Sequence, residues 1–148
     1  MTERDWRREL AEYGARLPLA APADPGMLDA AERALALALP SDLRALFAEC
    51  NGVTDHLGFR VVWPVTELAP RNEEFRTTRE FRRLYMPFDA LLFFGEVGNG
   101  DQFFYRILDG EVRESDVYLW DHETDSRGWR APRLETLVAD VRGAARES

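Results

Sequence analysis

The chain has 148 residues, of which 45% are apolar, and this composition is typical of one globular domain with a sizeable core. All 19 basic residues are arginine and only one residue is cysteine, which excludes lysine chemistry such as a P-loop or a Schiff base and also excludes an internal disulfide. The net charge of -8 argues against direct binding of nucleic acid, and no apolar run is long enough to span a membrane.

Apolar residues at helical spacing predict three helices in the first third of the chain. Asp24 followed by Pro25 is the arrangement that favours a helix start, and Ser41 is expected to cap the next helix. The pair Asn51-Gly52 is expected to stop that helix in a left-handed conformation. The expected spans are residues 3–13, 24–39 and 41–52.

After residue 52 the sequence predicts mainly short strands. Alternating residues predict a strand at 59–63, and a charged helix interrupted at Pro70 is expected over residues 66–85. The remaining expected elements are strands at 90–94, 102–108 and 116–120, turns at 98–101 and 109–110, and a helix at 134–144. These elements predict one α+β domain over residues 1–148, in which a mainly antiparallel sheet is flanked by N-terminal helices and by a C-terminal helix packing on the sheet.

The negative charge is concentrated in residues 89–125. This segment holds ten acidic residues and only two basic ones, Arg106 and Arg113, whereas the rest of the chain holds 17 of each sign. The segment also contains the three aromatic strands of the predicted sheet. An acidic, aromatic sheet of this kind indicates a surface suited to a basic partner.

Calcium binding is one alternative explanation for the acidic turn. Asp121, Glu123 and Asp125 stand at positions 1, 3 and 5 of an EF-hand loop. However, Ser126 stands where that loop needs glycine, and Pro132 where it needs glutamate. The sequence therefore favours a solvated turn between the last predicted strand and the terminal helix.

The sequence gives little support for a zinc site, a nucleotide-binding loop or a catalytic nucleophile. A zinc site would require His56 and His122 to meet Cys50 or a carboxylate, and their spacing does not predict this. Cys50 is expected to pack in the core, although a Cys-His pair formed in space stays open. The glycines of residues 95–100 precede a strand and not a helix, so they are expected to form turns. We therefore predict no cofactor, no metal and no catalytic residues.

Several short motifs follow one another in a specific order between residues 24 and 141. They are Leu39-Pro40-Ser41-Asp42-Leu43, Leu46-Phe47, Asn51-Gly52, Trp63-Pro64, Phe93-Phe94-Gly95, Gly98-Asn99-Gly100-Asp101, residues 116–123, and Leu134-Glu135-Thr136-Leu137. In this order and spacing they resemble the SUKH superfamily, which includes fungal cell-wall assembly regulators and many bacterial proteins encoded beside toxins. This resemblance implies an α+β fold without established catalytic residues, and it implies for many bacterial members an immunity function, in which the protein binds and neutralises a toxin that is often a nuclease. It also implies that Asn51, Gly52, Gly98 and Asp101 are chiefly structural.

Together these observations predict a non-catalytic cytoplasmic protein that blocks a basic toxin domain by stoichiometric binding, without contacting nucleic acid or membrane. The cytoplasmic location follows from an N-terminus too charged for a signal peptide. The predicted contact residues are Asn99, Asp101, Trp120, Asp121, Glu123 and Asp125. Three alternatives stay open: a solvated acidic rim, an enzyme, and a regulatory or scaffold module that binds through the arginine-rich residues 71–83.

Two further points stay open in the sequence. Trp6 and Trp63 are expected in the core, whereas Trp120 and Trp129 flank the acidic turn, so that one of them is a candidate for an exposed anchor. The sequence also leaves open whether the acidic turns lie on one face of the molecule.

Overall fold

The computed structural model of the chain describes residues 20–55 and 57–147, with side chains up to residue 141. The helices in this part are α1 (Pro25–Leu35), α2 (Ser41–Glu49), α3 (Val65–Thr77), α4 (Arg79–Leu84) and α5 (Leu134–Glu147). The strands are β1 (Val53–Thr54), β2 (Arg60–Val62), β3 (Leu91–Glu96), β4 (Gln102–Arg106), β5 (Val117–Asp121) and β6 (Ser126–Ala131). The helix predicted over residues 3–13, Trp6 and His56 lie outside the described residues.

Helix α1 begins as predicted but ends earlier. The side chain of Asp24 accepts a hydrogen bond from the backbone N–H of Gly26 at 3.0 Å, which is an N-cap interaction. The helix ends after Leu35 and does not reach Leu39, because Ala36 adopts a left-handed conformation with a φ of 52°. The helical periodicity of the leucines therefore extends beyond the helix itself.

Helix α2 is not capped by Ser41 as predicted. Pro40 occupies the N-cap position, and no side-chain hydrogen bond closes this helix start. The helix ends at Glu49, before the predicted stop at residues 51 and 52. The Oδ1 atom of Asn51 instead accepts a hydrogen bond from the backbone N–H of Val65 at 2.8 Å. Asn51 therefore connects the segment that follows α2 to the start of α3.

The predicted interruption at Pro70 is wrong, because α3 continues through this residue to Thr77. A proline removes one helical hydrogen bond, here to the carbonyl of Thr66. Both Pro70 and Thr66 are exposed, so water can satisfy that carbonyl. The break instead falls at Thr78, whose extended backbone separates α3 from α4.

The strands form two antiparallel sheets. The small sheet pairs β1 with β2, and the large one has the order β3-β4-β5-β6, so that each strand neighbours the next in sequence. Strand β6 was not expected, since residues 121–126 were predicted as a turn and no element was predicted for residues 127–133. This strand lies at a sheet edge and is largely exposed, so it lacks the alternation of apolar residues that marks a half-buried strand.

The outer edge of β3 is covered by α3 and by the chain after β2. The buried side chain of Asn72 donates to the carbonyl of Phe93 at 2.8 Å and accepts from the backbone N–H of Phe93 at 2.8 Å. The backbone N–H of Trp63 donates to the carbonyl of Phe94 at 2.8 Å and so joins the small sheet region to the large sheet. These contacts protect an edge that is otherwise prone to pairing with another chain.

One apolar core lies between the large sheet and the helices. Helix α3 contacts β3 and α1, while α5 contacts β6 and α2. This confirms the α+β class, with helices flanking the sheet and the C-terminal helix packing on it. The largest fully buried side chains are Trp63, Tyr105, Phe47, Phe93, Phe94 and Phe104, and the predicted core position of Trp63 is thereby confirmed. Cys50 is also buried in this core, as expected.

Candidate functional site

The antiparallel order of the large sheet divides the acidic segment between its two ends. The β3–β4 loop (residues 97–101) and the β5–β6 turn (residues 122–125) lie at one end, because β3, β4, β5 and β6 alternate in direction. The β4–β5 connection (residues 107–116) lies at the opposite end. We call the end that carries the β3–β4 loop and the β5–β6 turn the acidic end. With Asp121, the last residue of β5, it comprises residues 97–101 and 121–125.

Asp101 and His122 connect the two loops of the acidic end. Oδ1 of Asp101 lies 2.7 Å from Nδ1 of His122 and accepts from the backbone N–H of His122 at 3.1 Å. This contact requires glycine at position 100. Gly100 has a φ of 104°, and a Cβ atom at this position would lie only 2.9 Å from the His122 ring. Asn99 shapes the same loop, since its Oδ1 accepts from the backbone N–H of Asp101 at 2.9 Å.

The same contact changes the acidity of both side chains. Burial alone would raise the pKa of Asp101, but the hydrogen bonds from His122 and its charge bring that pKa below its usual value. The pKa of His122 is raised, mainly by its hydrogen bond to Asp101 and then by the charges of Asp101, Glu123 and Asp121, while desolvation opposes the shift. The interaction therefore favours the charged form of both partners.

Asp125 is held by contacts with three other segments. It has a φ of 60°, and its Oδ1 accepts from Nε1 of Trp120 at 2.8 Å and from the Arg127 guanidinium at 2.9 Å. Its Oδ2 accepts from the backbone N–H of Met86 at 2.9 Å. Burial opposes ionisation, but these hydrogen bonds and Arg127 bring the pKa of Asp125 below its usual value. Asp125 therefore shapes the turn more than it presents a free carboxylate.

Trp120, predicted as a contact residue, is only 2% exposed. Its ring packs edge-on against Tyr85 and Phe88 at centroid distances of 4.9 and 5.1 Å. The buried ring is not presented to a partner, and its Nε1–H instead donates to Asp125 at 2.8 Å. The exposed tryptophan of the pair is Trp129, which is 60% exposed on β6.

Three predicted residues are available at the surface of the acidic end. Asn99 and Glu123 are exposed, and Asp121 is half-buried. The Oδ1 atom of Asp121 accepts from the backbone N–H of Glu123 at 2.9 Å, which fixes the start of the turn. Asp101 and Asp125 are half-buried like Asp121, but their carboxylates accept hydrogen bonds from His122 and from Met86 in other segments.

Asp101, Asp121 and His122 also bring possible metal-ligand atoms within 4.8 Å of one another. The imidazole nitrogen nearest to Asp101 is, however, already in a hydrogen bond with that carboxylate, and Asp121 accepts from the backbone of its own turn. The EF-hand alternative is also disfavoured, since both carboxylate oxygens of Asp125 accept hydrogen bonds from protein groups. The hydrogen bonds of Asp101, Asp121 and His122 within the protein account for the closeness of these three side chains.

The SMI1 / KNR4 family model (SUKH-1) matches residues 22–140. The chain belongs to this family. The suspected resemblance to the SUKH superfamily is thereby confirmed over most of the chain. No curated protein matches the chain.

Membership of SUKH-1 indicates a general kind of function. The family suggests toxin immunity or cell-wall regulation; its members are generally non-catalytic, and they act through contacts with other proteins. Among residues 20–55 and 57–147 of this SUKH-1 chain, no helix is long and apolar enough to cross a membrane. The motif residues Asn51 and Asp101 both hydrogen-bond to backbone groups, as expected for structural positions.

Some residues that shape the acidic end were not identified from the sequence. The hydroxyl of Tyr85 donates to the carbonyl of His122 at 2.8 Å, and the guanidinium of Arg127 donates to the carbonyls of Met86 and Pro87 at 2.7 and 3.0 Å. These contacts span 37 to 41 positions of the chain. No local pattern signals such distant pairs, so they became visible only in the fold.

Proposed function

We propose that this chain is a cytoplasmic immunity protein that neutralises a basic, nucleic-acid-directed toxin by stoichiometric binding through the acidic end. The observation that supports the proposal is the meeting of the β3–β4 loop with the β5–β6 turn, where Asp101 and Asp121 bring side-chain oxygens within 4.8 Å of each other and of a His122 ring nitrogen. A cluster of carboxylates attracts a basic surface, speeds its association and presents negative charge as nucleic-acid phosphates do. Such a binding protein requires no catalytic group.

The acidic residues have different roles in this proposal. Asn99 and Glu123 contact the partner because they are exposed, and Asp121 contacts it because its carboxylate accepts from its own turn and not from another segment. Asp101 holds the two loops in position through His122, and Asp125 does so through Trp120 and Met86. Loss of an outer charge is therefore expected to slow association, whereas loss of an inner carboxylate is expected to weaken the loop structure first.

Co-expression tests the proposed function. The polypeptide encoded by the adjacent gene is expressed in a sensitive host, with and without this chain. We expect the host to survive only when both proteins are present. A neighbouring product that is not toxic, or toxicity that persists in the presence of this chain, would overturn the immunity function.

Association kinetics test the site. The double variant Asp121→Asn, Glu123→Gln removes two charges while keeping a side-chain oxygen at residue 121 for the turn. Its matched control is Asp109→Asn, Glu111→Gln, which removes the same charge from the opposite end of the sheet, where both residues are exposed. At low salt we expect the first variant to associate about tenfold more slowly and the control to change little. Equal rates for both would move the interface away from the acidic end.

A regulatory or scaffold function is the second candidate, and exposed arginines on α4 favour it. Arg79, Arg82 and Arg83 are exposed, whereas Arg71 pairs with Glu67 at 2.8 Å and is half-buried. The cationic surface is therefore narrower than residues 71–83. If the adjacent gene product proves harmless and an acidic protein partner binds α4, this second function replaces the first.

A further inference from the structure

Two apolar side chains project into solvent beside the acidic end. Leu84 at the end of α4 is 71% exposed and Met86 is 66% exposed, which makes them among the most exposed large apolar side chains of the described residues. Met86 borders a groove that is lined by the rings of Phe81, Tyr85 and Phe88 and by the charged side chains of Arg76, Arg82 and Asp89. Solvent exposure of adjoining apolar groups is unfavourable unless another surface covers them.

The backbone beneath these side chains is tied to the β5–β6 turn. The N–H of Met86 donates to Asp125 Oδ2 at 2.9 Å, and its carbonyl accepts from Arg127 at 2.7 Å. The Tyr85 hydroxyl donates to the carbonyl of His122 at 2.8 Å. Met86 is therefore held next to the acidic end, and Leu84 stands two positions before it at the end of α4. A partner that covers Met86 does not have to order this backbone.

The sign of the surface charge changes across these two apolar residues. On one side lies the acidic end, with Asp121 and Glu123. On the other side lies α4, where Arg79, Arg82 and Arg83 outnumber Glu80. An apolar centre bordered by charged groups is the usual anatomy of a protein–protein interface.

We propose that Leu84 and Met86 form the apolar centre of the interface whose negative rim is the acidic end and whose positive rim is α4. The occupant is a protein whose surface carries an exposed apolar side chain between a basic region and an acidic region. This inference rests on the proposed function and extends it, because it states which partner surface fits. Opposite charges on the two rims allow one orientation of the partner and disfavour the reverse one.

A purely basic partner would fit this surface poorly. Its cations would meet the carboxylates of the acidic end, but they would be repelled by the arginines of α4. Added negative charge on α4 would then speed its association. A partner with charges of both signs responds in the opposite way, and this difference in sign makes the proposal testable.

The test measures binding of the purified adjacent-gene polypeptide to the full chain. The first variant is Leu84→Ser, Met86→Ser, and its control is Leu108→Ser, which changes an exposed leucine at the opposite end of the sheet. We expect the double variant to raise Kd at least roughly 30-fold, mostly through faster dissociation, and the control to stay within about twofold.

The second variant is Arg82→Glu, Arg83→Glu, for which we expect slower association at low salt. Circular dichroism and thermal unfolding establish that each variant is folded.

Each other outcome overturns a defined part of the proposal. If Asp121→Asn, Glu123→Gln slows association but the serine variant binds normally, the acidic-end function stands and the apolar centre is wrong. Faster association of the α4 variant overturns the two-signed partner. Absence of binding, or normal binding by every variant, overturns both the function and this inference. If wild-type chain forms a dimer in analytical ultracentrifugation and the serine variant is monomeric, a second copy is the occupant and the inference falls.

Discussion

Nδ1 of His122 lies 2.7 Å from Oδ1 of Asp101, although 21 positions of the chain separate the two residues. The contact joins the β3–β4 loop to the β5–β6 turn and places Asp121 beside Asp101. It also couples the shape of the acidic end to the protonation of two groups. The loops that we propose to contact a partner are therefore stabilised by one of their own carboxylates.

Protein stability is expected to depend on pH through this pair. The pKa of folded His122 is raised above 6.5, so its contribution is fully present below pH 6.5 and is lost as pH rises through the raised value. The pKa of folded Asp101 is lowered below 3.8, so its contribution is present above pH 3.8 and is lost as pH falls through the lowered value. We expect Asp101→Asn to be most destabilising between these two pH values, as measured by urea unfolding at several pH values.

An NMR titration gives an independent measure of the same pair. In Asp101→Asn the pKa of His122 is expected to fall back toward its usual value, because the hydrogen bond to a carboxylate is lost. The His122 signal is assigned by its absence from His122→Gln. A destabilisation that stays constant from acidic to alkaline pH, together with an unchanged pKa, would contradict the coupling.

Asp125 is expected to stabilise the fold as well as the turn. Asp125→Ala removes the acceptor for Trp120, Arg127 and Met86 and places alanine at a φ of 60°. Loss of charge-assisted hydrogen bonds in a half-buried site costs about 1–3 kcal/mol of unfolding free energy. The exposed neighbour Glu123→Gln is the control and should change stability by less than about 0.5 kcal/mol. Equal unfolding midpoints of the two variants in urea would show that Asp125 has no structural role.

Gly95 was expected to form a turn, but it lies within β3, where β2 approaches closely. A Cβ atom at this position would lie 1.7 Å from the carbonyl oxygen of Val61. Gly95→Ala must therefore displace backbone, and we expect destabilisation by at least about 1–3 kcal/mol. Gly128→Ala is the matched control, because a Cβ atom there meets nothing within 4 Å. Thermal unfolding compares the two variants, and a Gly95→Ala protein as stable as the control would contradict the close approach.

Asn72 is expected to be essential for covering the edge of β3. Asn72→Leu keeps a side chain of similar size but leaves the backbone N–H and carbonyl of Phe93 without the hydrogen bonds that Asn72 supplies. Each buried group left unsatisfied costs about 1–3 kcal/mol, so we expect a loss of at least about 2 kcal/mol in urea unfolding. Glu73→Ala, on the exposed side of the same helix, serves as the control. A loss of similar size in both variants would contradict a specific contribution of the edge contact, because neither leucine nor alanine lowers helix propensity.

The fold class was predictable because local sequence patterns indicated most of the helices and strands. Asp24 with Pro25 marked the start of α1, and the aromatic runs marked β3, β4 and β5. The turn at residues 98–101 was also predictable, since Gly98 and Gly100 both adopt positive φ. The errors occurred where local signals were weak or misleading. Strand β6 is polar and largely exposed, and Pro70 lies on an exposed part of α3, where the missing helical hydrogen bond is tolerated.

The candidate site was only partly predictable. Its acidic residues were identifiable from composition, but the sequence could not distinguish accessible carboxylates from those held internally. Asp125 and Glu123 are two positions apart in one turn, yet the first is bound by Trp120 and Met86 and the second is exposed. That difference depends on a tryptophan, a methionine and an arginine that donate hydrogen bonds to Asp125, and burial of Trp120 depends on its packing against Tyr85 and Phe88.

The sequence by itself determined the α+β class, the family and the concentration of negative charge in residues 89–125, because composition and local periodicity are properties of neighbouring residues. Only the tertiary structure decided that this charge is divided between two ends of a sheet. The reason is that antiparallel pairing alternates the direction of successive strands, so loops that follow one another along the chain lie at opposite ends, and only alternate ones meet.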